Sequence, residues 1–128
     1  SGEVHVLFIS TGSGAAFVKS GKLKALAVAS AEPTALAPGL PTVAASGLPG
    51  FESTAMTGVF APAKTPAAII NRLNQEIVRA LNSAEVKEQL FNLGQEVVAS
   101  TPAQLATTMK SEMTRLGKVI KDVGIRGD

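Results

Sequence analysis

The chain has 128 residues, 45% hydrophobic and 17% charged, which matches one globular domain's length and excludes a disordered chain. Its net charge is +2, and twelve Lys and Arg are interspersed with ten carboxylates, so no block of like charge marks a nucleic-acid or membrane-surface binder. There is no cysteine, which removes disulfides, thiolate chemistry and Cys-type zinc sites. No apolar run approaches the ~18 to 20 residues that span a bilayer.

The opening Ser1-Gly2-Glu3 runs straight into a strand-like segment, which fits a mature product, a tag scar or an excised fragment, and a fragment is expected on the grounds given below. Val4 to Ile9 is almost continuously apolar, with β-branched or aromatic residues at several positions, and predicts a strand buried on both faces as in a parallel sheet. The small-residue loop Ser10-Thr11-Gly12-Ser13-Gly14 follows. Next come a short helix through Ala15, Ala16, Phe17 and Val18, stopped at Gly21, and a second strand over Leu23 to Ala29. Strand, helix and strand within about thirty residues is the span of a βαβ crossover, which places the loop at the carboxyl end of a strand, where open α/β sheets bind ligands.

Pro33, Pro38, Pro41 and Pro49, with Gly39, Gly47 and Gly50, predict a long surface connection containing a helical turn at Thr42 to Ser46. Thr54 to Pro62 reads as a strand leading into a turn. Thr65-Pro66 is a helix-start signal, hydroxyl at the cap and proline at the first position, for a helix with Ile69, Ile70, Leu73, Ile77, Ala80 and Leu81 on one stripe. A helix over Ala84 to Leu93 closes at Gly94, and Glu96 to Ala99 predicts a short strand. Thr101-Pro102 repeats the start signal for a last helix whose stripe is Leu105, Met109, Met113 or Leu116, and Ile120. The mixed order gives an α/β class.

The residue types that carry catalysis are scarce. His5 is the single histidine and reads as a packed or edge residue of an apolar strand. There is no G-x-S-x-G elbow, Phe17 stands where a dinucleotide fingerprint needs a third Gly or Ala, and no Gly-Lys-Ser/Thr completes a Walker loop. Glu76, Glu85, Glu88 and Glu112 fall on polar helix faces, and no metal-ligand cluster exists. No enzyme activity and no cofactor are expected. What remains is the loop Ser10 to Gly14, whose hydroxyls and free amides at a helix start suit a carboxylate, or equally serve as a cap with nothing bound. Ser30, at the end of the second expected strand, is a further candidate.

Several segments in order carry a resemblance. Gly21-Lys22-Leu23-Lys24-Ala25-Leu26-Ala27-Val28, Leu40-Pro41-Thr42-Val43, Ser46-Gly47-Leu48-Pro49-Gly50-Phe51 and Gly58-Val59-Phe60-Ala61-Pro62-Ala63-Lys64-Thr65-Pro66 resemble the Bug-type extracytoplasmic solute receptors, the binding proteins of tripartite tricarboxylate transporters. Asn71-Arg72-Leu73-Asn74, Gly94-Gln95-Glu96 and Lys118-Val119-Ile120-Lys121 extend the likeness over nearly the whole chain. The sequence departs from the family where His5 replaces a common aspartate, Pro33 a common arginine, and Met56 and Leu116 frequent tryptophans.

The resemblance implies part of a periplasmic-binding-protein type II-like fold, a mixed sheet flanked by helices, that closes on a small carboxylated solute without altering it. It implies a periplasmic location and hand-over to transporter membrane subunits in the full-length protein. It also implies that this chain is the carboxyl-terminal part only. Residues 1–53 would then end one binding lobe, and residues 54–128 would supply a crossover strand and helices packing on the other. The ligand residues implied are Ser10, Thr11, Gly12, Ser13 and Gly14, with Ser30 beside them. A second reading is a structural fragment without ligand that forms a homo-oligomer through its exposed interface.

Overall fold

The structure, a computed structural model, describes residues 3–126; the opening Ser1-Gly2 lies outside them. Four helices form: α1 (Thr11–Lys19), α2 (Ala67–Leu81), α3 (Ala84–Asn92) and α4 (Pro102–Asp122). The chain divides into two units, one of Ser1–Thr57 with Ser83–Val97, the other of Gly58–Asn82 with Val98–Asp128.

The helix ends follow from local chemistry. At the C-terminus of α1, the Gly21 N–H donates to the Val18 carbonyl and the Lys22 N–H to the Phe17 carbonyl, both at 3.0 Å, with Gly21 at φ 72°. This double closure requires a left-handed residue just past the cap, which is why glycine stands there. Gly94 closes α3 and Gly124 closes α4 in the same way. At the start of α4, the Thr101 hydroxyl accepts from the Gln104 N–H at 3.2 Å, while the Gln104 side chain accepts from the Thr101 N–H at 2.9 Å. Two otherwise orphaned donors are satisfied reciprocally.

Thr65 does not repeat this. Pro66 caps α2, and the Thr65 hydroxyl instead donates back to the Pro62 carbonyl at 2.8 Å. The two Thr-Pro pairs differ three residues on, where Gln104 can reach back but Ala68 cannot. The expected Thr65 cap is thereby corrected.

The expected sheet also requires correction. Among the described residues no strand forms over Val4 to Ile9, Leu23 to Ala29, Thr54 to Pro62 or Glu96 to Ala99, so neither the βαβ pairing nor the mixed sheet is present. The single β pairing is an isolated parallel bridge between Val28 and Thr42, in which the Val28 N–H donates to the Pro41 carbonyl and the Val43 N–H to the Val28 carbonyl, each at 2.9 Å. An apolar, β-branched run makes a segment extended, but a strand exists only where a neighbour lies in register. Ala99 adds a local obstacle, since its φ of 50° is left-handed and ends the extension after Val98. The helical turn expected at Thr42 to Ser46 is present, with the Ser46 N–H donating to the Thr42 carbonyl at 3.1 Å.

Burial is sparse. Among the described residues only Gly14, Val28 and Thr42 are buried. The chain exposes 10402 Å², whereas two separate folded domains of the size of its two units would expose about 7,700 Å² together. The chain therefore exposes more surface than two closed units of these sizes would. In the second unit, α2 and α4 touch, and the Asn74 amide donates to the Ser100 carbonyl at 3.0 Å, tying α2 to the residue before the α4 cap. Even so, Met113, Leu116 and Ile120 of the predicted α4 stripe lie exposed.

Two of the carboxylates on helix faces are paired with arginines. Glu76 bridges Arg72 and Arg79 along α2, and Glu112 pairs with Arg115 on α4. The hydrogen bond from Arg115, reinforced by its charge, holds the Glu112 carboxyl below the usual carboxylate range despite a smaller opposing desolvation.

Thr101→Ala should accelerate hydrogen exchange of the first-turn amides of α4 about fivefold, the equivalent of ~1 kcal/mol, whereas Thr65→Ala should leave the first turn of α2 within about twofold. A depressed folded pKa makes the Glu112–Arg115 contribution fully present above the usual carboxylate range and lost as pH falls through the folded value. In a carboxyl ¹³C titration, Arg115→Gln should move the Glu112 midpoint upward; an unchanged midpoint would refute the assignment of its cause.

Candidate functional site

The segment expected to be a loop from Ser10 to Gly14 is the cap and first turn of α1. Ser10 is the N-cap, at φ −63° and ψ 144°, and Thr11 to Gly14 are already helical. The Ser10 hydroxyl accepts from the Ser13 N–H at 3.4 Å, a long bond, and donates to the Ser13 hydroxyl at 2.8 Å. Capping is thus real but weak. The Gly14 N–H donates to the Ser10 carbonyl at 3.0 Å. The N–H groups of Thr11 and Gly12, first in the helix, find no acceptor among the described residues.

Electrostatics favour an anion at this turn. The first turn of α1 carries no acidic residue and its last turn carries Lys19, whereas α3 has Glu85 in its first turn. The positive end of α1 is therefore not neutralised by a side chain of its own helix. Ser10, Gly12 and Ser13 are exposed, Thr11 is half-buried, and Gly14 is buried with Ile9 over it.

One flank of the turn is occupied by the end of α3. A methyl group on Gly12 would stand 2.9 Å from the Leu93 carbonyl carbon and closer still to its oxygen. One on Gly94 would stand 2.6 Å from the Gly12 Cα and 3.3 Å from the Thr11 carbonyl carbon. The two glycines permit backbone to pack on backbone, so that the carbonyl-bearing end of α3 meets the amide-bearing end of α1, a favourable arrangement of opposite partial charges. Leu93 and Gly94 are the site residues that sequence reading missed. Gly94 announced a helix stop, but nothing in the local pattern announced its partner at Gly12.

Nearby interactions fix the rest of this unit. The Phe8 and Phe51 rings stack with centroids 6.1 Å apart and planes 25° from parallel. The Thr34 hydroxyl donates to the Glu96 carboxylate at 2.6 Å, and the Ser53 N–H donates to the Ala29 carbonyl at 2.8 Å. Ser30 is not joined to the α1 turn by any hydrogen bond: its hydroxyl donates to the Glu32 carbonyl at 2.6 Å and is committed to a local turn. His5 lies exposed at a bend before α1 rather than packed in a strand.

No group of three metal-ligating side chains occurs among the described residues, and no helix there is long and apolar enough to cross a membrane. A shallow surface lined by Ala106, Met109, Lys110, Met113 and Thr114 lies along α4 alone. A single helix face cannot enclose a ligand, so the α1 turn, with its convergent donors, remains the better candidate.

The family described as tripartite tricarboxylate transporter family receptor matches residues 1–125. A UPF0065 protein from the tcbD-tcbE intergenic region of Pseudomonas sp. (strain P51) is 40% identical over 60 residues, covering 47% of this chain and 18% of that protein. Another from Agrobacterium vitis, in the TAR-I ttuE-ttuC' intergenic region, is 40% identical over 67 residues, covering 50% and 19%. The R. palustris protein Rpa4515, solved with adipate, shares 30% identity and superposes with a TM-score of 0.76 over 90% of this chain and 38% of its own. The matched regions are thus well under half of each relative's length.

Gly12→Ala should destabilise the first unit by about 1–3 kcal/mol because its methyl group meets backbone that cannot yield. Gly117→Ala in α4, where nothing lies within 4 Å of the added carbon, should instead stabilise by about 0.5–1 kcal/mol. Denaturant dependence of amide exchange in α1 and α4 measures both; equal effects would remove the seam between α1 and α3.

Proposed function

The chain belongs to the tripartite tricarboxylate transporter receptor family, and from that premise we propose that it forms one wall of an extracytoplasmic site for a small carboxylated solute. In this reading Ser10, Thr11, Gly12, Ser13 and Gly14 hold a carboxylate through the free amides of the first turn and the Ser13 hydroxyl. Ser30 lies at the edge of the same wall. The observation that carries the reading is the first turn of α1: an exposed serine pair and two N–H groups with no acceptor among the described residues, at a helix end with no acidic residue. The adipate in Rpa4515 supports the ligand class, a dicarboxylate.

The same reading assigns residues 1–53 to the end of one lobe and residues 54–128 to a crossover and helices of the other, in a type II-like binding-protein fold with a mixed sheet. The receptor works in the periplasm, closing on its solute as contacts form to both lobes and then passing it to the transporter's membrane subunits. No bond in the solute is broken, and no residue acts as acid, base or nucleophile. One wall contributes part of the binding free energy, so the chain by itself binds weakly.

Titrating adipate into the ¹⁵N-labelled chain should shift the Thr11 to Gly14 amides with a dissociation constant on the order of millimolar, about −4 kcal/mol. Ser10→Ala combined with Ser13→Ala should weaken this at least severalfold. Shifts confined to α4, or none at residues 10–14, would overturn the assignment of the wall.

A further inference from the structure

The two units carry opposite net charge. The unit of Gly58–Asn82 with Val98–Asp128 holds eight of the twelve Lys and Arg and four of the ten carboxylates, a balance of +4, whereas the other unit holds four and six, a balance of −2. Within the positive unit Arg72 and Arg79 flank Glu76, and Arg115 pairs with Glu112. The lysines of α4 are not answered in this way. Lys110, Lys118 and Lys121 are exposed, and none of them forms an ion pair among the described residues, although Asp122 stands one turn beyond Lys118. At about 100° per residue these three positions fall within about 80° of arc and extend over about 16 Å of the helix. Thr107 and Thr114 lie in the same sector and Ser111 on its edge, so no carboxylate stands within it. The Thr107 and Thr114 hydroxyls donate to the Ala103 and Lys110 carbonyls at 3.0 and 2.9 Å, which leaves the lysines as the main free donors of this face. Lys118 and Lys121, one turn apart, repel each other until a negative group lies over both.

We propose that the Lys110–Lys118–Lys121 stripe of α4 is a docking surface for a carboxylate-rich polypeptide face on the transporter's membrane subunits. The proposal rests on the reading of this chain as part of a transporter receptor and names a surface for that partner. Charge complementarity identifies the occupant: a face with three uncompensated ammonium groups and no carboxylate within it is matched by a face rich in carboxylates. A bilayer surface fits it less well. Clusters of about four to eight basic residues mark anionic-lipid binding, whereas this stripe has three, spaced by small hydroxyl residues rather than by aromatic anchors. Exposed interfacial charges set the rate and orientation of encounter more than its lifetime. That suits a receptor, which must arrive often and leave after each delivery. The turn at Ser10 to Gly14 belongs to the other unit, so docking and solute binding draw on different residues.

The test titrates a short oligoglutamate peptide, a soluble stand-in for the acidic face, into the ¹⁵N-labelled chain at about 0.01 M ionic strength, where charges act over ~30 Å. The amides from Lys110 to Lys121 should shift, and raising the ionic strength to about 0.15 M should weaken binding on the order of tenfold. Lys110→Gln, Lys118→Gln and Lys121→Gln together should weaken it by about tenfold at low salt, whereas the three Lys→Arg replacements should retain it. Lys19→Gln, Lys22→Gln and Lys24→Gln remove the same charge from the other unit, and each triple takes the net charge from +2 to −1. This second triple should weaken binding by less than about twofold. Equal losses from the two Gln triples would reduce the effect to net charge and overturn the proposal. Shifts centred outside α4, no binding of oligoglutamate, or binding of phosphatidylglycerol vesicles in its place would overturn it as well. So would self-association of the chain that the α4 triple abolishes, since a second copy would then be the occupant. Adipate titration of the α4 triple is read at Thr11 to Gly14 and should be unchanged, so failure of docking and failure of the solute reading show at different residues.

Discussion

The first unit depends on the close approach of Gly12 to Gly94. A helix start and a helix end from distant parts of the sequence meet there without side chains between them. Two consequences follow from that one constraint. The carbonyl end of α3 lies against the amide end of α1, an arrangement of opposite partial charges. And α1 is held with one flank of its first turn, at Gly12, against Leu93 and Gly94, while the Ser10–Ser13 pair stays exposed. A methyl group at either glycine would push the two helices apart and turn the donors out of register with one another.

The turn beside that seam, the proposed binding wall, carries neither acid nor base. Ser10 is shared between capping its helix and bonding Ser13, and its long bond to the Ser13 N–H leaves the turn incompletely satisfied. An incompletely satisfied helix start at a surface is a place where water or a ligand oxygen completes the hydrogen bonding. The absence of an acidic residue in that turn fits the same purpose, since a carboxylate there would compete with a carboxylated solute. Ser30 illustrates the contrary case: its hydroxyl is spent on the Glu32 carbonyl.

The sequence was most legible where the physics is local. Gly21 and Gly94 read correctly as helix stops because a left-handed residue past a helix end is a requirement of a few consecutive bonds. Thr101 read correctly as a cap because Gln104 stands three residues on. Thr65 misled because the hydroxyl-proline pair was read without its missing third partner. The extended segments misled more deeply. A continuous apolar, β-branched run such as Val4–Ile9 reports that a segment is apolar, and this one bends at His5. Such a run does not report whether a neighbour lies beside it, and pairing is a property of two segments. The seam was illegible for the same reason, because a glycine needed for close approach looks, from its own neighbours, like a glycine needed for a turn.

The distance along the chain between the two glycines has a consequence for how the wall comes into being. Gly94 follows Gly12 by roughly eighty residues, and at about 5–20 residues per second of synthesis that interval lasts about 4 to 16 seconds. Throughout it α1 has its own closure at Gly21 but nothing to set its direction. The wall is thus assembled late in the emergence of this stretch of chain, after its own residues have long been made. Any factor that holds the chain open until the second glycine appears would protect the apolar Val4–Ile9 segment over the same interval.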